Sequence, residues 1–160
     1  MALEIERKYI IYIPSFLDRL ERAEMVQTYL VSDVGTRRIR MVQRGDVKKY
    51  YFTEKIRKTA RTCIENERET DETEYQSLLF QADPRRRAVE KTRYYYPYNG
   101  LIFEIDVYPF WNKQCVMEVE LTGEEQRFEL PPDVRVVREV TEDRAYKNVS
   151  LALTVPEELI

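Results

Sequence analysis

The sequence predicts an α+β chain dominated by one antiparallel sheet. Three observations carry that expectation. About eight or nine segments alternate apolar and polar residues with the period of a strand. Most of them follow one another directly, two pairs across short turns built for hairpins. Only three or four short stretches show helical spacing.

Taken in order, Leu3 to Ile13 alternates and is rich in Ile and Tyr, and Val26 to Val31 is rich in strand formers. Between them Ser15 can cap a helix from Phe16 to Glu24, with Phe16, Leu17 and Leu20 on one face. Thr36 to Gln43 and Lys48 to Lys58 flank a Gly45-Asp46 turn, and Arg61 to Glu69 is a weaker strand. Thr70 or Asp71 can cap a helix carrying Tyr75, Leu78 and Leu79, with Asp71 and Glu74 spaced as a capping box. Arg87 to Tyr96 and Leu101 to Tyr108 flank Asn99-Gly100, the strongest hairpin signal in the chain. Gln114 to Leu121 and Arg135 to Val140 close the strand series. Short helices are expected from Glu124 to Phe128 and from Glu142 to Leu153. No break shifts the composition enough to mark a boundary, so residues 1–160 read as a single domain.

Composition narrows the chemistry. The chain contains no histidine, which removes Ser/His/Asp or Cys/His catalysis and His-ligated metal or haem sites. Proton transfer and metal binding must therefore run on carboxylates, Lys, Tyr or water. The 26 Lys and Arg against 29 Asp and Glu give a net charge of −3, no electrostatic reason to expect nucleic acid or an anionic membrane as partner. Cys63 and Cys115 are too few and too far apart for a disulfide framework or zinc ribbon and read as reduced thiols. The first residues lack an apolar signal segment and no run is long enough to span a bilayer, so the expected location is the cytoplasm.

The informative feature is which strand face carries the charge. Residues i, i+2 and i+4 share a face of a strand. Glu4, Glu6 and Lys8 therefore lie together, as do Glu104 and Asp106, Glu118 and Glu120, and Glu65 and Glu67. Arg38 with Arg40, Lys55 with Arg57, and Lys91 with Arg93 repeat the pattern with the opposite sign. A solvated outer face is the ordinary home for such residues. Here the segments after the first tend to carry one sign each, and like charges about 7 Å apart destabilise one another unless an opposite charge is shared. The helices need the apolar face, so the charged faces are left to one another. Closing the sheet into a barrel lines its lumen with both signs. A dry lumen of that kind is untenable, because each ion costs several kcal/mol to desolvate, so it must hold water and ligands. Paired carboxylates are hard oxygen ligands suited to Mg²⁺ or Mn²⁺, and clustered Arg and Lys suit tetrahedral phosphates.

With these residues in order, the chain resembles the CYTH, or triphosphate tunnel metalloenzyme, superfamily. Glu4-Ile5-Glu6-Arg7-Lys8 matches the Glu-x-Glu-x-Lys signature. The set continues through Arg38-Ile39-Arg40, Thr53-Glu54-Lys55, Glu65-Asn66-Glu67, Glu90 to Tyr94, Phe103 to Asp106, Glu118-Val119-Glu120 and Val140 to Asp143. Glu90 to Tyr94 and the Glu142 to Lys147 tail look most like the short bacterial inorganic triphosphatases. The resemblance implies an eight-stranded antiparallel β-barrel, a tunnel with a charged lumen and a few helices packed outside. It implies hydrolysis of a triphosphate, foremost inorganic tripolyphosphate, with Mg²⁺ or Mn²⁺ and in-line attack of water.

By position, Glu4, Glu6, Glu118 and Glu120 would hold metal, and Glu104 and Asp106 would orient cations or help a second metal. Arg38, Arg40, Lys55, Arg57, Lys91 and Arg93 would grip phosphates, with Lys147 added if the tail plugs one end. Lys8 would act near the reacting phosphate, and Glu65 and Glu67 beside the cations or the attacking water. The arginine expected before Glu65 is either Arg61 or replaced by Cys63. The implied partner is a small polyphosphate or nucleoside triphosphate, with monomer and homodimer both open. Class IV adenylate cyclase, thiamine triphosphatase and a non-catalytic polyphosphate binder share the fold and stand as alternatives. Arg85-Arg86-Arg87 reads as a solvated loop, Tyr94 to Tyr98 as core or edge cover, and Trp111 as core with stacking on a ligand as its rival role.

Overall fold

The computed structural model describes residues 2–160. Nine strands form one sheet: β1 (Ala2–Tyr12), β2 (Glu21–Leu30), β3 (Thr36–Arg44), β4 (Val47–Arg57), β5 (Thr62–Thr70), β6 (Val89–Tyr98), β7 (Leu101–Val107), β8 (Gln114–Glu120) and β9 (Val136–Glu139). Their order is β5-β4-β3-β2-β6-β7-β8-β1-β9, and a further β5–β1 pairing closes the first eight into an antiparallel barrel. Closure removes the exposed edges that an open sheet must protect. β1 makes it possible by dividing one edge. Ala2 to Ile5 pair with β5, whereas Tyr9 to Ile11 pair with β9. Both hairpins form at the expected turns, with Gly45, Asn99 and Gly100 at positive φ.

The expected helices are fewer and shorter. Asp71 caps α1 (Glu72–Leu78), its side chain accepting from the Glu74 amide at 2.8 Å. The segment Phe16 to Glu24 is not a helix. A 3-10 turn covers Leu17–Arg19, and β2 begins at Glu21 because it pairs on both sides, with β3 and β6. Two ladders outweigh the helical preference of one short amphipathic turn. Glu124 to Phe128 is also not a helix. Gln126 closes a turn instead, its side-chain oxygen accepting from the Thr122 amide and hydroxyl. The tail splits into a 3-10 turn at Arg144–Tyr146 and a single turn, α2 (Asn148–Leu151).

The outer apolar face is consequently covered mostly by non-helical chain. α1 packs Tyr75 and Leu78 over Ile39 and Phe52. Phe103, Ile105, Met117 and Val119 lie beneath Leu17, Phe128, Leu130 and Val134. A third cluster stops one end of the barrel: Ile10, Tyr29, Val89, Tyr108 and Val116 meet Trp111, Tyr146 and Leu151. Trp111 is thus core, its indole N–H donating to the Pro156 carbonyl at 2.9 Å. Tyr94, Tyr96 and Tyr98 pack on the outer cluster, while Tyr95 joins Ala23, Met25 and Val42. Among the described residues no helix is long and apolar enough to cross a membrane.

The Arg85 to Arg87 loop holds the tail in place. Arg85 and Arg86 both bond the carboxylate of Asp83, which is only 3% exposed. Arg86 also donates to the Val149 carbonyl, and the Arg87 amide to that of Ala152. The bond from the Arg85 side chain, then that from its amide, hold the Asp83 carboxyl well below the usual range. A carboxyl lowered in the folded state contributes stability above its unfolded pKa that is lost as pH falls through the folded one. Asp83→Asn is therefore expected to lower the melting midpoint at pH 7. The gap to wild type should narrow on acidification below the ordinary carboxylate range, as thermal melts across pH would show.

Candidate active site

Register carries the expected charges to one side of the sheet. Along β1, Glu4, Glu6 and Lys8 share a face with Ile10. Lys8 pairs with Glu118 and Glu6 with Glu120. Glu118 lies opposite Glu104, and Asp106 opposite Arg93. Arg38 faces Thr53, and Lys55 faces Glu65. Every one of these positions has the parity of the lumen, so the closed barrel gathers residues that are far apart in sequence.

Ion pairing divides the lumen into walls. On β6 and β7, Asp106 is fully buried and takes both Lys91, at 2.8 Å, and Arg93, at 2.7 Å through Nε and 2.9 Å through Nη2. Arg93 reaches Glu104 as well, at 3.2 Å. Both Asp106 oxygens are thus committed to cations, which fix the Arg93 guanidinium. Burial, despite Asp106, depresses the Lys91 ammonium to about 7. On β3 to β5, Glu67 accepts from Thr53 at 2.8 Å and from Arg40 at 3.4 Å, with Arg38 at 4.0 Å. Burial, then the charges of Arg38 and Arg93, lower Arg40 to about 10. Lys55 bridges Glu4 at 2.8 Å and Glu65 at 3.3 Å.

Lys8 occupies the junction. Its ammonium lies 3.1 Å from Glu118 and donates to the Tyr146 carbonyl at 3.1 Å. Its amide donates to the Thr141 hydroxyl at 2.9 Å, and its carbonyl accepts from the Val140 amide at 2.8 Å. The tail therefore fixes this lysine from both ends. Burial opposes its charge, but Glu118 and Glu6 raise its pKa overall.

The carboxylates of β1 and β8 are the under-compensated part. Burial and the charge of Glu118 push Glu6 up to about 8. Glu118 itself, penalised by burial but flanked by Lys8, Arg93 and Lys91, lies well below its ordinary value. Burial and Glu4 raise Glu65 to about 7, while Lys55 and a bond from Glu65 overcome burial to bring Glu4 down to about 2. Burial and Glu4 also raise Glu120, and burial raises Glu104. Among the described residues, Glu6 and Glu120 have no ion-pair partner, and no three acidic or cysteine groups converge to enclose a metal alone. That suits an ion held by one or two carboxylates plus substrate oxygens and water, the common habit of Mg²⁺. The donor set fits a hard divalent cation.

A cavity of about 570 Å³ opens beside this junction, lined by Lys8, Arg38, Lys55, Arg57, Lys58, Arg144 and Lys147 against Glu6 and Glu142. Lys147 is lowered to about 8 by burial and by the charges of Lys8 and Arg57, and it donates to the Thr141 carbonyl at 3.4 Å. Cys63, not Arg61, has the luminal place before Glu65. Its thiol is 4.0 Å from Glu4, whereas Arg61 reaches out to the Glu124 carbonyl at 3.0 Å. Lys58, Arg144, Glu142 and Tyr29 also line the cavity. Glu142 and Arg144 fall in the tail matched by the resemblance and Lys58 ends an expected strand, but none has a site role from the sequence, and Tyr29 reads as core.

No family model matches the chain. An inorganic triphosphatase from Nitrosomonas europaea is 33% identical over 156 residues, spanning 96% of this chain and 99% of that protein. A solved structure of an inorganic triphosphatase is 34% identical and superposes with a TM-score of 0.58, covering 98% of this chain and 99% of the other. A Hippeastrum protein with a dominant triphosphatase activity is 20% identical, TM-score 0.56, over 76% of this chain and 81% of its own. At that identity it shares the fold alone.

Asp106→Asn should be among the most destabilising luminal changes, since it leaves Lys91 and Arg93 buried with half their compensation. Breaking a buried pair from one side costs about 3–5 kcal/mol. Urea unfolding would measure it, and Glu120→Gln, which removes an unpaired charge, should be stabilising or neutral.

Proposed function

The chain belongs to the inorganic triphosphatase family, and on that premise we propose that its lumen binds inorganic tripolyphosphate with Mg²⁺ or Mn²⁺ and hydrolyses a terminal anhydride bond. The observation that supports this best is the cavity at Lys8, where cations from three strands and the tail surround space for a compact polyanion. Nine of the residues lining the cavity are charged and Tyr29 is its one aromatic ring among the described residues, so a base or thiazolium finds little to stack on there. Tripolyphosphate is preferred on that ground to ATP or thiamine triphosphate.

Phosphoryl transfer asks a protein for alignment and neutralisation of charge. Arg38, Arg40, Lys55 and Arg57 would grip non-bridging oxygens from β3 and β4, and Lys91 and Arg93 from β6. Lys147 would close the chain from the tail. Lys8, fixed by Glu118 and the Tyr146 carbonyl, would place its ammonium on the reacting phosphoryl group. Of the four carboxylates Glu4, Glu6, Glu118 and Glu120, the two without an ion-pair partner among the described residues, Glu6 and Glu120, would be the first to hold the divalent cation, Glu104 and Asp106 serving mainly to orient Arg93. Bound there, such a cation would neutralise phosphate oxygens and make a nearby water more acidic. Glu65, beside Lys55, and Glu67, beside Arg40, would orient these cations and take up a proton. Breaking the anhydride P–O bond as water attacks in line would yield orthophosphate and pyrophosphate. Both cysteines are free and buried, which supports a reduced, cytoplasmic setting.

Lys8→Ala is expected to lose at least a hundredfold in phosphate release while melting cooperatively, and normal turnover by that variant would sink the assignment. Removing divalent ions with EDTA should abolish release, with recovery on adding Mg²⁺ or Mn²⁺. A phosphate assay run in parallel on tripolyphosphate, ATP and thiamine triphosphate ranks the substrates. Cyclic nucleotide formed from ATP would favour the cyclase alternative instead.

A further inference from the structure

We propose that Arg7 and Glu139, an ion pair on the outer face of the barrel, are positioning residues for Lys8, acting through the hydroxyl of Thr141. This rests on the triphosphatase reading and deepens it. β1 changes partner at this point: Ala2 to Ile5 pair with β5, and Tyr9 to Ile11 with β9. Glu6, Arg7 and Lys8 fall in between. On that edge the Lys8 amide has no ladder partner and donates instead to the Thr141 side chain at 2.9 Å. A hydroxyl thus replaces a strand, and a hydroxyl can rotate unless it is held. Glu139 holds it. Its Oε2 accepts the Thr141 hydroxyl proton at 2.7 Å, which leaves the hydroxyl oxygen free to accept from Lys8. The rival acceptor for that proton, the Lys8 carbonyl, lies farther off at 3.4 Å.

Arg7 in turn fixes Glu139. Its Nε and Nη2 both donate at 2.7 Å, one to each carboxylate oxygen, a fork that sets the plane of the carboxylate as well as its position. The guanidinium carbon sits 5.3 Å from the Phe128 ring and 5.9 Å from that of Tyr9, so the fork is itself held. Arg7 and Lys8 are successive residues of one strand and point to opposite faces. The outer pair therefore reaches its luminal neighbour by way of Glu139 and Thr141. Stability alone explains this pair poorly. Its side chains keep 24% and 36% of their surface exposed, and ion pairs open to water contribute little to folding. Tied to the backbone of Lys8, the same pair fixes geometry, and a misplacement of about 1 Å can cost about a hundredfold in rate.

The test sets kcat on tripolyphosphate against KM. Arg7→Met and Glu139→Ala should each lower kcat about tenfold or more, with KM within about twofold of wild type and a cooperative melt. The double variant should be no slower than the slower single one, since both cut the same relay, and multiplied losses would overturn it. Thr141→Ser, which keeps the hydroxyl, should retain kcat, whereas Thr141→Val should lose it. Equal loss by both would overturn the part given to the hydroxyl. Wild-type kcat in both outer-pair variants, or a rise in KM with kcat unchanged, would overturn the proposal. If Thr141→Val does not fold, the part-exposed outer pair carries the reading. The two levels fail separately: no turnover by wild type contradicts the triphosphatase reading. The relay is then tested by amide hydrogen exchange. Glu139→Ala must speed exchange at Lys8 about tenfold more than at Ile10 on the same strand. Equal acceleration of the two amides, or none, would overturn it.

Discussion

A closed barrel with ionised side chains turned inward must compensate them, and most of this chain serves that requirement. Asp106 is spent on Lys91 and Arg93, Glu67 on Arg40 and Thr53, and Lys55 on Glu4 and Glu65. These pairs hold the cations in fixed positions facing one another. What remains unmatched lies on two sides of Lys8: carboxylates on β1 and β8, and the basic lining of the cavity toward Arg57 and Lys147. A divalent cation and a polyphosphate are complementary to those two remainders together, and either alone leaves the other set uncompensated.

The tail makes the arrangement asymmetric. Tyr146 and Leu151 complete an apolar stopper against Ile10, Val116 and Tyr108, while Glu142, Arg144 and Lys147 of the same segment line the cavity. The same segment contributes the Thr141 hydroxyl and the Tyr146 carbonyl that immobilise Lys8, and the Asp83–Arg86 latch holds the segment down. Stability and the positioning of Lys8 thus share one set of contacts.

Much of this was legible in the sequence because strand alternation has a period of two and survives any change of partner. Glu104 and Asp106 opposing Phe103 and Ile105 shows the inner face without knowledge of the neighbour. Which carboxylate serves which cation was not legible, since that depends on register: only the β6–β7 ladder reveals that Asp106 belongs to Arg93. Phe16 to Glu24 misled because three apolar residues at helical spacing also suit a turn entering a strand. Tyr29 escaped notice for a different reason. A neutral residue on an inner face looks like core until the cavity beside it is seen.

A chain without histidine, and with a net charge of only −3, conceals a dense site because its opposite charges are sorted by strand rather than by number. The most direct measurement is the ³¹P spectrum of tripolyphosphate incubated with the folded protein and Mg²⁺. Orthophosphate and pyrophosphate appearing in equal amounts, at a rate proportional to protein, is the predicted result. Tripolyphosphate persisting unchanged in the presence of cooperatively folded protein and either metal would contradict it.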